Sequence, residues 1–84
     1  MNVHVLFFAS IREDLGCSKL LVVLQNPARI SDLIRKLGRE QGPNWLSVLG
    51  KESVKVAINK EIVNSDESLV DGDEIAFLPP VTGG

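Results

Sequence analysis

With 84 residues the chain has room for one domain with a modest core, and 44% apolar residues place it among globular rather than disordered chains. Nine basic against eleven acidic residues leave a net charge of −2, which argues against nucleic acid as a main partner, since that would call for a basic stripe. A single cysteine excludes an internal disulfide and a cysteine-based metal cluster, and a lone thiol fits a reducing compartment such as the cytoplasm.

Met1-Asn2-Val3-His4-Val5 has neither the basic nor the long apolar region expected of a signal peptide, and no apolar run approaches the roughly 18–20 residues of a membrane span. Val3 to Phe8 reads as a strand, apolar on both faces, as a central strand would be. Ala9 to Ser18 is a polar connection with room for one helical turn, and Lys19 to Leu24 is a second strand, hairpinned to the first. Asn26-Pro27 ends it. Ile30, Leu33, Ile34 and Leu37 then follow the i, i+3, i+4, i+7 spacing of an amphipathic helix. Ser31 is the expected N-cap, with Asp32 in the first turn and Ile30 just outside; Gly42-Pro43 ends the helix. Trp45 to Leu49 reads as a helical turn over the core edge. Val54 to Ile58 alternates as a third strand, Asn59-Lys60 turns into a brief strand at Glu61-Ile62-Val63, and residues 64–68 form a polar loop. Gly72 can supply positive φ in the turn Asp71-Gly72-Asp73, and Glu74 to Leu78 is the last strand.

The order β-β-α-turn-β-β-β predicts an α+β domain of the ubiquitin-like β-grasp type. One main amphipathic helix covers one face of a mixed sheet, and the first and last strands are central neighbours. Residues 1–78 form this domain and residues 79–84 an extended tail. Pro79 and Pro80 have no N–H with which to continue a ladder and hold φ near about −65°. The six residues Pro79-Pro80-Val81-Thr82-Gly83-Gly84 therefore leave the domain as a stiff arm reaching at most about 20 Å. The arm carries no charged side chain, and its last two residues carry none at all. Gly83-Gly84 can enter a channel too narrow for a Cβ and presents a bare carboxylate open from both sides. Such an arm suits chemistry done on the end of the chain itself.

Val5-Leu6-Phe7-Phe8-Ala9, Val56-Ala57-Ile58-Asn59-Lys60 and above all the run from Asp71 through Phe77-Leu78-Pro79-Pro80-Val81-Thr82-Gly83-Gly84 resemble the small subunit of molybdopterin synthase, the MoaD family. The resemblance spans essentially the whole chain, with the last fourteen residues its specific part and residues 15–53 similar mainly in pattern. It implies a sulfur carrier of molybdenum cofactor biosynthesis. An E1-like, ATP-using enzyme of the MoeB type would adenylate the Gly84 carboxylate, and sulfur from a persulfide would replace AMP, leaving a thiocarboxylate. The arm would then enter the large synthase subunit, of the MoaE type, and give sulfur to cyclic pyranopterin monophosphate. The resemblance further implies two small with two large subunits, no cofactor held by the chain alone, and ATP or AMP only in passing on the activating enzyme. The chain would not be an enzyme by itself, with the acid–base groups belonging to its partners.

Alternation places Phe8 and Leu78 on the face opposite the helix, where Ile62 can join them in an apolar patch beside the tail root, a docking surface for both partners. The bland alternative is partly covered core or scattered surface apolar residues. Cys17 lacks a visible activating partner, His4 stands alone on a strand, and Trp45 reads as a core lid. Asp71, Asp73 and Glu74 read first as turn and strand entry, with contact to a basic partner as a secondary role; Lys36, Lys51, Lys55 and Lys60 read as solvated charges. Two other sulfur carriers share the expected fold, one of the thiazole-forming ThiS type and one serving tRNA thiolation; the Pro-Pro-Val-Thr-Gly-Gly ending favours the molybdopterin type. A protein modifier joined to lysines through Gly84, or an interaction domain with an idle tail, are the rival classes.

Overall fold

The first and last strands of the chain lie side by side in the middle of one sheet. A computed structural model describes residues 1–80. In chain order these form β1 (Asn2–Phe7), α1 (Ala9–Leu15), β2 (Lys19–Val23), α2 (Ile30–Gln41), α3 (Pro43–Leu49), β3 (Lys55–Ile58), β4 (Glu61–Val63) and β5 (Glu74–Leu78). The strands order as β2-β1-β5-β3-β4, with β1 and β5 parallel and every other pair antiparallel. This is the expected mixed β-grasp sheet, with the first and last strands as central neighbours.

Alternation sends Val3, Val5 and Phe7 of β1 and Ile75 and Phe77 of β5 to the inner face, where all five are buried. Leu33 and Leu37 of α2 close over them, one helical turn apart. Phe7 stacks on Phe77 with ring centroids 5.8 Å apart and meets the edge of Trp45 at 5.3 Å, so Trp45 is the core lid that its position suggested. Each of these buried aromatic side chains contributes about 1.5–3 kcal/mol through area removed from water. Gly38 of α2 faces Leu46 of α3 so closely that a Cβ there would overlap the leucine side chain. Gly72 adopts φ 87° as its turn requires, and its N–H reaches Asn2 O at 2.7 Å.

Three local expectations are corrected. Phe8 is not a strand residue: it is the N-cap of α1, its carbonyl accepting from the amides of Ile11 and Arg12. The connection after it holds a seven-residue helix rather than one turn, closed by Gly16 at φ 65°. The N-cap of α2 is Arg29, not Ser31, and Ile30 lies inside the helix and is buried. An arginine side chain has no acceptor with which to cap. The Asp32 carboxylate instead accepts the Arg29 amide at 2.8 Å, while the Ser31 amide and hydroxyl donate to the Asp66 carboxylate at 2.9 and 2.6 Å.

Candidate functional site

Helices α1, α2 and α3 leave the outer face of the sheet uncovered. The register puts Leu6 of β1, Ala76 of β5, Ala57 of β3 and Ile62 of β4 in one row across four adjacent strands on that face. Two alanines in the middle of a row flanked by leucine and isoleucine leave a depression. The result is a hollow of about 420 Å³, lined by Leu6, Ala57, Ala76 and Ile62 together with Phe8, Leu78, Lys60 and Glu74. Phe8 is 41% exposed and Ile62 55%, high values for large apolar side chains that share one surface.

Phe8 and Leu78, placed on this face by alternation, and Ile62, expected to join them in a β-grasp sheet, thus line one hollow. Phe8 gets there by a different route from the one expected. As the N-cap of α1 it turns away from β1, yet its amide still donates to Phe77 O at 3.2 Å, which ties it to the end of β5. Leu78 is the last residue of β5, and Pro79 and Pro80 follow without strand pairing. The hollow therefore adjoins the point where the chain leaves the sheet. Val81, Thr82, Gly83 and Gly84, which carry the expected chemistry, lie outside the described residues.

The rim opposite Phe8 is built by a two-residue turn. Asn59 and Lys60 both have positive φ, 50° and 72°, as a tight hairpin between β3 and β4 demands. The turn is pinned to the start of β5. Asn59 N donates to Glu74 O at 2.8 Å, Glu74 N to Asn59 Oδ1 at 3.0 Å, and Asn59 Nδ2 to Asp73 Oδ1 at 2.9 Å. Asp73, read from sequence as part of a turn and strand entry with contact to a basic partner as a secondary role, is buried, and its other oxygen accepts Val70 N at 2.8 Å. These bonds hold Lys60 and Glu74 at the hollow, the only charged side chains among its lining residues.

Leu6, Ala57 and Ala76 are the apolar members that sequence reasoning missed, and Lys60 and Glu74, read as a solvated charge and a strand-entry residue, are the charged ones. An alanine announces no site. The signal was positional: each apolar member alternates with core residues on a central strand, so each faces outward at the level of Ile62. His4 is exposed on the same outer face, on a central rather than an edge strand. Cys17 is half-buried, its Sγ 3.5 Å from Lys19 O. Among the described residues, no cluster of histidine, cysteine and carboxylate side chains could hold a metal ion, and no helix is long and apolar enough to cross a membrane.

Sheet order, crossing helix and exit from a central strand define a ubiquitin-like β-grasp domain. The structure is similar over the full length of both chains to SAMP1 from Haloferax volcanii, with a TM-score of 0.83 and 27% identity. It is likewise similar, over the full length of both, to a chain in the complex of subunits 1 and 2 of the molybdopterin-converting factor from Helicobacter pylori, with a TM-score of 0.71 and 28% identity. The sequence is 38% identical over 82 residues to the molybdopterin synthase sulfur carrier subunit of Escherichia coli, covering 98% of this chain and 99% of that one. The ThiS family pattern matches residues 5–84. The chain belongs to the ThiS family, on the branch that holds the molybdopterin synthase sulfur carrier subunits.

Proposed function

We propose that the chain is the sulfur-carrying subunit of a molybdopterin synthase, with the sulfur borne on Gly84. The observation that carries this reading is the apolar hollow at the root of the Pro-Pro segment, on a chain whose Escherichia coli relative has that role. A partner seated in the hollow is held within about 20 Å of the last residue, the full reach of six extended residues. Docking thus determines which active site the arm can enter.

The chemistry follows from the weakness of a carboxylate as an electrophile. An E1-like enzyme joins the Gly84 carboxylate to the α-phosphate of ATP, and pyrophosphate leaves. A persulfide sulfur attacks the acyl-adenylate carbonyl and expels AMP, forming an acyl disulfide. A second thiol on the sulfur donor reduces that disulfide, which leaves the Gly84 thiocarboxylate. In the large subunit this sulfur passes to cyclic pyranopterin monophosphate, two carriers serving each pterin. The chain itself holds no cofactor and contributes sulfur, reach and a docking face; the acid–base groups belong to its partners. Glycine at both final positions keeps the channel narrow and the carbonyl unhindered.

The structural likeness to SAMP1, a small archaeal modifier protein, favours one second reading: conjugation of Gly84 to lysines. Deletion of Gly83-Gly84 tests the proposal. The truncated chain should fold with the same melting temperature and fail to support molybdenum cofactor formation. Normal cofactor formation by the truncated chain would overturn the sulfur-carrier reading.

A further inference from the structure

The two edges of the sheet are built differently. β4 is three residues long, opens on Glu61 and directly follows Lys60, and a short, charged strand is a common way to keep an edge from pairing. β2 is five residues long, its charge confined to Lys19, and its Leu21 and Val23 are 63% and 61% exposed. Its hydrogen bonds to β1 leave the outer edge open. Met1 N donates to Leu24 O and Leu24 N to Met1 O, both at 2.8 Å, and Phe7 N donates to Ser18 O at 2.9 Å. Bonded pairs alternate in an antiparallel ladder, so Val3 with Val22 and Val5 with Leu20 are the bonded pairs between these ends. The backbone N–H and C=O groups of Leu21 and Val23 therefore point away from β1, and no described strand lies beyond them.

Beside this edge, between β2 and α2, runs a trough. It consists of two hollows of about 590 and 240 Å³ that share Val23 and Lys36. Leu24, Ala28 and Leu37 give it an apolar floor, and its α2 wall carries Asp32, Arg35, Lys36, Arg39 and Glu40, three cations against two carboxylates. Arg35 is engaged by Asp32 at 2.6 Å and Lys36 by Glu40 at 3.1 Å, but Arg39 has no ion-pair partner among the described residues. An uncompensated cation thus stands beside an unpaired strand edge, at its Val23 end, on a chain of net charge −2.

We propose that this trough receives an extended acidic segment of a partner protein. The segment adds to β2 as a further strand and sets a carboxylate against Arg39. Five residues, or about 17 Å, match the length of β2. Main-chain bonds to Leu21 and Val23 supply affinity, while Arg39 and the apolar floor supply selectivity. A second copy of this chain fits less well. Two-fold pairing of β2 with itself would bring the copy's Lys19 to the Arg35 and Arg39 end, like charge against like. The trough shares no lining residue with the outer hollow, so it serves a partner other than the one seated there.

The test is an NMR titration of the full chain with a synthetic peptide carrying a Val-Ile-Val core flanked by aspartates. The expected result is shifts confined to residues 19–25 and 35–39, with amide exchange slowed at Leu21 and Val23. Leu21→Pro removes only an outward-facing N–H, and Arg39→Glu reverses the exposed charge; each should weaken binding at least tenfold. Arg39→Glu should also come to prefer a lysine-flanked version of the peptide. If Leu21→Pro disturbs the fold, Arg39→Glu, on an exposed helix position, decides alone. Equal binding of aspartate- and lysine-flanked peptides, or no binding of either, would overturn the proposal. So would displacement of the peptide by single-stranded oligonucleotide, or self-association that Leu21→Pro abolishes.

Discussion

Phe8 does two things that pull in different directions. Its backbone caps α1, yet its side chain cannot accept a hydrogen bond there, and the phenyl ring instead lines the outer hollow. Aspartate is among the best N-cap residues, and a good cap adds about 0.5–2 kcal/mol over a side chain that cannot accept. Phe8→Asp should therefore hold the melting temperature close to that of the parent chain, the gained cap offsetting the lost apolar contact. A charge placed in a docking hollow should at the same time weaken association with the large subunit by about 2–3 kcal/mol, or roughly 30- to 150-fold in Kd. Calorimetry on the monomer and on the complex separates the two effects; a folded Phe8→Asp chain that binds normally would remove the hollow from the docking account. Lys60 is the second telling residue. It sits at φ 72°, where a Cβ is unfavourable and glycine is at ease. Lys60→Gly should raise stability by about 0.5–1 kcal/mol while removing a cation from the rim of the hollow, and chemical denaturation measures the gain.

At the scale of the elements, the hollow exists because β3 and β5 place alanines where their neighbours place leucine and isoleucine. Ala76→Leu keeps the face apolar and fills its floor. Shape-dependent docking predicts that this variant loses large-subunit affinity about tenfold or more, while simple stickiness predicts that it gains. The elements themselves were largely legible. Alternation fixed which faces of β1 and β5 are buried, and the spacing of Ile30, Leu33, Ile34 and Leu37 fixed α2. Boundaries were harder, for identifiable reasons. The apolar run continues through Phe8 although the strand ends at Phe7, and the helix that follows opens on Ala9, whose φ of 49° no side-chain pattern announces. Arg29 was passed over as a cap because the capping groups come from Asp32 and from Asp66, which lies 35 residues beyond Ser31. The burial of Asp73 was not legible because its partners, Asn59 and Val70, meet it only once β3, β4 and β5 are assembled. Three of the eight residues around the hollow, Phe8, Ile62 and Leu78, were found from sequence. The alanines were not, because a depression is the absence of side-chain volume.

For the molecule as a whole, the sheet and helices make a rigid base, and acid should loosen it from a definite place. Asp32 is held below the ordinary aspartate value of 3.8, chiefly by the backbone N–H of Arg29 and then by the Arg35 side chain. Asp66 is likewise held below 3.8, first by the Ser31 hydroxyl and then by its amide. Folded values below unfolded ones mean that this stabilisation is complete above 3.8 and disappears as pH falls through the folded values. Asp66→Asn should lower the melting temperature slightly near pH 7 and leave it nearly unchanged near pH 2, since these carboxylates are exposed and each contributes little. A melting series across that range checks the prediction.

The base matters only if the chain carries its reactive group at the far end. Intact-mass analysis of the full chain, incubated with an E1-like activating enzyme, ATP and a persulfide donor, tests this most directly. The account predicts the mass gain of one oxygen exchanged for one sulfur, located by fragmentation at Gly84. An unchanged mass, or heavy branched adducts through Gly84 without a sulfur-bearing form, would contradict it.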